Sequence, residues 1–139
     1  MDWQSLGYAA IQVAHNFGAV TVVGGPLFAL CSTSADTYGG RERALAWLVL
    51  AGWSVQVVSG AAFGAASYAW YGQFPDLHGI ALAALIIKIA CATAGSALIA
   101  VHLVAITRKT QVRPRRTWGS LLALGATALT AAAFLRWFS

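Results

Sequence analysis

Charge is what this sequence lacks most. Only 9% of its residues are Asp, Glu, Lys or Arg, against 59% hydrophobic, whereas folded domains in water carry about a quarter charged residues. Such an inventory cannot cover a water-facing surface, which excludes an ordinary soluble enzyme. Acids are scarcest, with four Asp and Glu against nine Lys and Arg and a formal charge of +5. Cysteine is nearly absent too, at two in 139 residues. Neither Cys31 nor Cys91 has the spacing of a zinc or iron–sulfur site. Their expected depths differ too far for a shared disulfide, so both are expected to be small buried residues. The length corresponds to one domain, residues 1–139.

What the chain has instead is long apolar runs. Leu6 to Cys31, Ala44 to Phe74 and Thr117 to Leu135 contain no Asp, Glu, Lys or Arg, and Gly79 to Thr107 contains only Lys88. About 20 apolar residues cross a hydrocarbon core as a helix, so the sequence predicts four transmembrane helices over about 5–31, 44–72, 79–107 and 117–138. The expected fold class is all-α, an integral membrane four-helix bundle. The opening Met1-Asp2-Trp3 is acidic where a signal peptide is basic. The apolar stretch that follows also exceeds an h-region of about 7 to 15 residues, so the first helix is expected to persist.

The basic residues set the orientation. Four crossings put the first and third loops on one side, which collects Arg41, Arg43, Arg108, Lys109, Arg113, Arg115 and Arg116, while the other side has only Arg136. The positive-inside rule then predicts a cytoplasmic first group and both termini outside, in the periplasm of a bacterial inner (cytoplasmic) membrane. Trp3, Tyr68, Trp70, Tyr71 and Trp137 mark the outer boundary, and Trp47 and Trp118 the inner one. Arg113, Arg115 and Arg116 are read as a topology anchor touching anionic lipid, with no nucleic-acid partner.

Packing features point to close helix contact. Gly24-Gly25-Pro26 interrupts the first helix, and Pro26 cannot supply an amide to the Val22 carbonyl, so a kink is expected. Ala94-Gly95-Ser96 in the third helix and Gly125-Ala126-Thr127 in the fourth allow backbones to approach.

The candidate site lies among polar groups inside the hydrocarbon. His15 falls about 4 to 5 Å outward of the first helix's midpoint, and Lys88 about 7 to 8 Å outward of the third's. They are therefore expected at nearly one depth, with Asn16, Gln56, Ser59, Thr127 and Thr130 in or near the same layer. Intramembrane ionisable residues are costly and are functional candidates by default. Lys88 lies too deep to snorkel outward. It has no acid within the four spans, so it is expected to face the interior, either neutral or paired with a neighbouring subunit's carboxylate or an acidic group of a cofactor.

His15 shares a helix face with Tyr8, Ile11, Gly18 and Val22, and Gly18 one turn below leaves room for something flat beside the ring. A neutral imidazole at this depth suits haem ligation. The alternative is a histidine bonded to Gln56 or Asn16 that only fixes helix packing. His102 follows Lys88 by nearly four turns on the same face, yet lies about 13 Å inward of the midplane. One iron cannot take both His15 and His102 without a helix shift; His102 suits a second site or a haem edge, or is a satisfied interfacial histidine. His78 reads as a cap or surface residue.

The stretch His15-Asn16-Phe17-Gly18-Ala19-Val20, followed by Gly24-Gly25-Pro26-Leu27-Phe28, resembles the His-then-Gly-Gly pattern of the copper resistance protein D family and the related membrane protoporphyrinogen oxidases of bacterial haem synthesis. His78-Gly79-Ile80-Ala81-Leu82 leading to Ile86-Ile87-Lys88-Ile89 is similar to that group's Gly-x-x-Leu…Lys segment. Arg43-Ala44 and Gln56-Val57-Val58-Ser59-Gly60 fit as well. The resemblance implies a four-helix module in which a first-helix histidine and a third-helix lysine, here His15 and Lys88, line a b-haem site.

The resulting expectation is a small b-haem membrane protein, an electron-transfer subunit of a larger redox complex, working between a quinol or partner subunit and a haem-bearing partner outside. His15 would ligate the iron, Lys88 would meet a propionate, and Gln56 and Asn16 would orient the imidazole. Two other classes stay open: a cofactor-free accessory subunit of a respiratory or transport complex, and an oxidase of a porphyrinogen or another lipophilic substrate. With Met1 the only methionine, copper transport is not expected.

Overall fold

The computed structural model describes residues 3–32, 40–74, 76–110 and 114–138. The opening Met1-Asp2, Arg113 of the basic cluster and most of the first loop lie outside the described residues. Four helices follow in order: α1 (Trp3–Cys31), α2 (Gly40–Tyr71), α3 (Gly79–Thr107) and α4 (Pro114–Phe138). Each is long and apolar enough to cross a membrane, and backbone hydrogen bonding closed within each helix is what a hydrocarbon environment demands. Helix α3 matches its predicted bounds. Helix α4 begins three residues earlier than expected, at Pro114, where the missing amide costs nothing and the fixed φ suits a first helical turn. Helix α2 begins four residues earlier, so that Arg41, Glu42 and Arg43 are helical.

The helices pack as a bundle. Helix α1 lies chiefly along α2 and α3 along α4, with α4 also meeting α1 and α2 meeting α3, which leaves α1 and α3 on a diagonal. Lipid tails are as apolar as leucine, so helix association here rests on close packing and hydrogen bonds rather than on water exclusion. Three glycines provide it. Gly95 presents its bare backbone to the Trp53 indole, whose Nε1 would lie 3.0 Å from an added Cβ. Gly18 takes the Gln56 side chain, Val55 and the Gly52 carbonyl of α2. Gly125 lies against the Val22 carbonyl, 2.9 Å from where its Cβ would stand. That carbonyl is the one Pro26 leaves without a helical donor. The proline thus frees a carbonyl that faces Gly125 of α4, within a helix that continues through it.

The interior is filled unevenly. Towards the basic end it contains Val22, Val49, Trp53, Ile99, Leu103, Trp118 and Leu121, all buried. Towards the other end, beyond His15 and Ser59, α1 and α2 bury no described residue, and α3 and α4 bury only alanines: Ala81, Ala84, Ala128 and Ala131. On that side Tyr8 of α1 meets Phe63 and Trp70 of α2, ring centroids 6.3 and 4.8 Å apart.

Three expectations change. Trp118 is not an interfacial aromatic: it is 3% exposed and packs its ring against His102. Trp47, by contrast, is 55% exposed, as an interfacial tryptophan should be. Cys31 is exposed while Cys91 is buried. Lys88 is not alone among charged residues in leaving the surface, because the earlier start of α2 carries Glu42 into the bundle, where it is buried.

Candidate functional site

The expected polar layer forms from three helices. Lys88 Nζ of α3 lies 2.9 Å from His15 Nε2 of α1 across the diagonal, so the predicted equality of depth is met by direct contact. His15 Nδ1 lies 2.7 Å from Ser59 Oγ of α2. The Ser59 hydroxyl in turn donates to the Val55 carbonyl one turn back on its own helix. These contacts bear on where the imidazole proton sits. A serine has one hydrogen to give; it goes to Val55, so Ser59 must accept from His15 Nδ1–H. With Nδ1 protonated, Nε2 has the lone pair and accepts from Lys88, as an ammonium, which only donates, also requires. The two constraints agree on one neutral tautomer, with the proton on Nδ1 and the lone pair on Nε2, directed into the bundle.

Phe63 closes one side of the imidazole, edge to face at 5.8 Å. Helix α2 is thus the ring's main support, with Ser59 on a nitrogen and Phe63 one turn further on. Gln56 acts differently from the expectation: its side-chain amide donates to the His15 backbone carbonyl, so it holds the helix that carries the ring. Asn16 is exposed and accepts a 2.8 Å hydrogen bond from Gln12 on its own helix. Thr127 and Thr130 are also exposed, and Thr130 bonds the Ala126 carbonyl. Helix α4 therefore brings no polar side chain to the site.

His102 belongs to a separate pair at the basic end. Its Nε2–H donates to Glu42 Oε1 at 3.1 Å, both side chains at least nine-tenths buried. Its ring meets Trp118 edge-on at 5.3 Å. Its Nδ1 has no hydrogen-bond partner among the described residues, and neither has Trp53 Nε1. His78 pairs with Asp76 in an exposed contact.

A haem ligand needs an imidazole nitrogen with a free lone pair, oriented by a bond at the other nitrogen. His15 fits this requirement, since Ser59 holds Nδ1–H and leaves Nε2 as the donor; ligation there requires the Lys88 side chain to move off it. The space beside Gly18 does not serve, because Gln56 and Val55 fill it. Among the described residues no group of three His, Cys, Asp or Glu could hold a bare metal ion. Lys88 has no other polar partner and no acid beside it among the described residues, so the site presents two basic side chains without a counter-charge.

Sequence reasoning placed Ser59 in the layer without seeing that it bonds the imidazole, although its position three residues after Gln56 puts both on nearby faces of α2. The Glu42–His102 pair gave no local indication, since it depends on how far α2 extends. No family model matches the chain, and no curated protein or solved structure is similar to it. The likeness noted in the first and third helices therefore rests on those residues alone.

Proposed function

We propose that this small four-span membrane protein is a b-haem protein acting as an electron-transfer subunit of a membrane redox complex, in which His15 would hold the haem iron. The observation that supports the reading is the hydrogen-bond chain Lys88–His15–Ser59–Val55, which leaves the imidazole lone pair on the nitrogen facing the interior. Bound haem would supply a one-electron couple. The chain's own residues supply the rest: Ser59 fixes the tautomer, Gln56 anchors α1, and Lys88 is free to exchange its bond to His15 for an acidic group such as a propionate. The interior beyond His15, with alanines and no large buried side chain, suits a flat cofactor better than the tightly filled basic half. The run of basic residues at one end supports an orientation with that end in the cytoplasm and both termini in the periplasm of a bacterial inner membrane.

One observation favours a second reading. Both ring nitrogens of His15 are already hydrogen-bonded within the chain, as in a cofactor-free accessory subunit whose polar residues specify helix pairing. Titration of the purified protein with haemin separates the two. The b-haem reading requires a Soret band and reduced α-band that His15→Ala abolishes and Ser59→Ala weakens by about 10- to 100-fold in affinity. A featureless spectrum in a protein whose His15→Ala form assembles poorly favours the second reading.

A further inference from the structure

At the basic end, away from His15, the α2–α3 seam opens into a groove of about 440 Å³ lined by Trp47, Leu50, Ala100, Leu103, Val104, Thr107 and Arg108. The four α3 positions recur at spacings of three and four residues, so they form one continuous helical face, and Arg108 follows as the helix's C-cap. Its composition changes along its length. Leu50, Ala100, Leu103 and Val104 are apolar, whereas the end nearest the boundary holds Thr107 and the exposed Arg108.

The donors at that end are unused. Arg108 makes no salt bridge among the described residues, where Glu42 is buried against His102 and Asp76 pairs with His78. The Trp47 indole makes no hydrogen bond within the described chain and is 55% exposed. Thr107 donates to the Leu103 carbonyl, so it contributes surface rather than a donor. The groove therefore pairs an apolar channel running into the hydrocarbon with a guanidinium and an indole N–H at headgroup level.

We propose that this groove binds one anionic phospholipid, its phosphate on Arg108 and Trp47 and an acyl chain along Leu50, Ala100, Leu103 and Val104. Charge complementarity selects the occupant. A basic pocket between spans at the positive end of a membrane protein meets acidic headgroups, and a zwitterionic lipid would bring its own cation to Arg108. The proposal is independent of haem at His15.

Native mass spectrometry of the protein released from nanodiscs of phosphatidylcholine with one quarter phosphatidylglycerol tests it. One retained phosphatidylglycerol per chain is expected, with about fivefold weaker retention in Arg108→Gln, the loss of one interfacial cation. Ala100→Phe, which fills the channel, should lower retention as well. Arg136→Gln removes a cation in the last turn of α4, at the opposite end of the bundle, and should leave retention unchanged. Equal retention of phosphatidylcholine, an Arg108→Gln variant that retains lipid like the parent, or an Arg136→Gln variant that loses as much as Arg108→Gln overturns the proposal. So does displacement of the lipid by equimolar ubiquinone, which would assign the groove to a quinone.

Discussion

Replacing Gly95 with alanine tests whether the bundle is held by backbone contact or by loosely matched apolar surfaces. An added Cβ at Gly95 would collide with Cε2, Cζ2 and Nε1 of Trp53, and Trp53 is 1% exposed. The indole is rigid and enclosed, so it cannot turn away; α2 and α3 must separate instead. Overpacking of this kind costs about 1 to 3 kcal/mol. The same substitution gains up to about 1 kcal/mol of helix propensity, which would blur a single measurement. Gly60 removes that ambiguity, because it is also helical and has nothing within 4 Å of its would-be Cβ. The propensity gain cancels between the two, and Gly95→Ala should be less stable than Gly60→Ala by the overpacking cost alone, about 1 to 3 kcal/mol. Reversible unfolding in mixed micelles by increasing dodecyl sulfate reads the difference. A Trp53→Phe change vacates the space and should be non-additive with Gly95→Ala by about 1 kcal/mol or more in the favourable direction. Equal stability of Gly95→Ala and Gly60→Ala, or simple additivity with Trp53→Phe, would refute the reasoning.

Other consequences can be measured in the same assay. Glu42→Ala leaves buried His102 without its hydrogen-bond partner and should destabilise by about 1 to 3 kcal/mol, whereas Glu42→Gln retains an acceptor and should cost less; equal losses would show that the pair's bond is unimportant. Gly125→Leu drives a side chain into the Val22 carbonyl and should part α1 from α4, seen as loss of the folded species on gel filtration or as destabilisation above about 1 kcal/mol. Ser59→Ala removes the acceptor for His15 Nδ1–H and should cost about 0.6 to 1.7 kcal/mol, the range for hydrogen bonds between spans, with Ser59→Thr restoring most of it.

The four spans were legible because the scarcity of charge is a property of the whole chain, and a helix that must cross hydrocarbon has little freedom in length. The contact between His15 and Lys88 was legible for a related reason: residues on neighbouring spans meet only if their depths agree, and depth follows from counting residues at 1.5 Å each. Rotation about a helix axis does not follow from counting, and there the reading fell short. Asn16, Thr127 and Thr130 share the depth of His15 but face outward, while Ser59 faces in. The start of α2 was set too late because Arg41, Glu42 and Arg43 look like loop residues; in the fold Glu42 is drawn in by His102, whose partner could not be found from its own helix. Trp118 was assigned to the interface by its depth, yet it is the ring that covers that pair. Tertiary packing decided each of these.

The hydrogen-bond chain through His15 underlies both readings of function, and its tautomer is directly observable. Nitrogen-15 NMR of ¹⁵N-histidine-labelled protein in lipid should show His15 neutral, with Nδ1 protonated and Nε2 as an unprotonated acceptor whose shift moves on Lys88→Met. A proton on Nε2, or a His15 signal indifferent to Lys88→Met, would contradict the account.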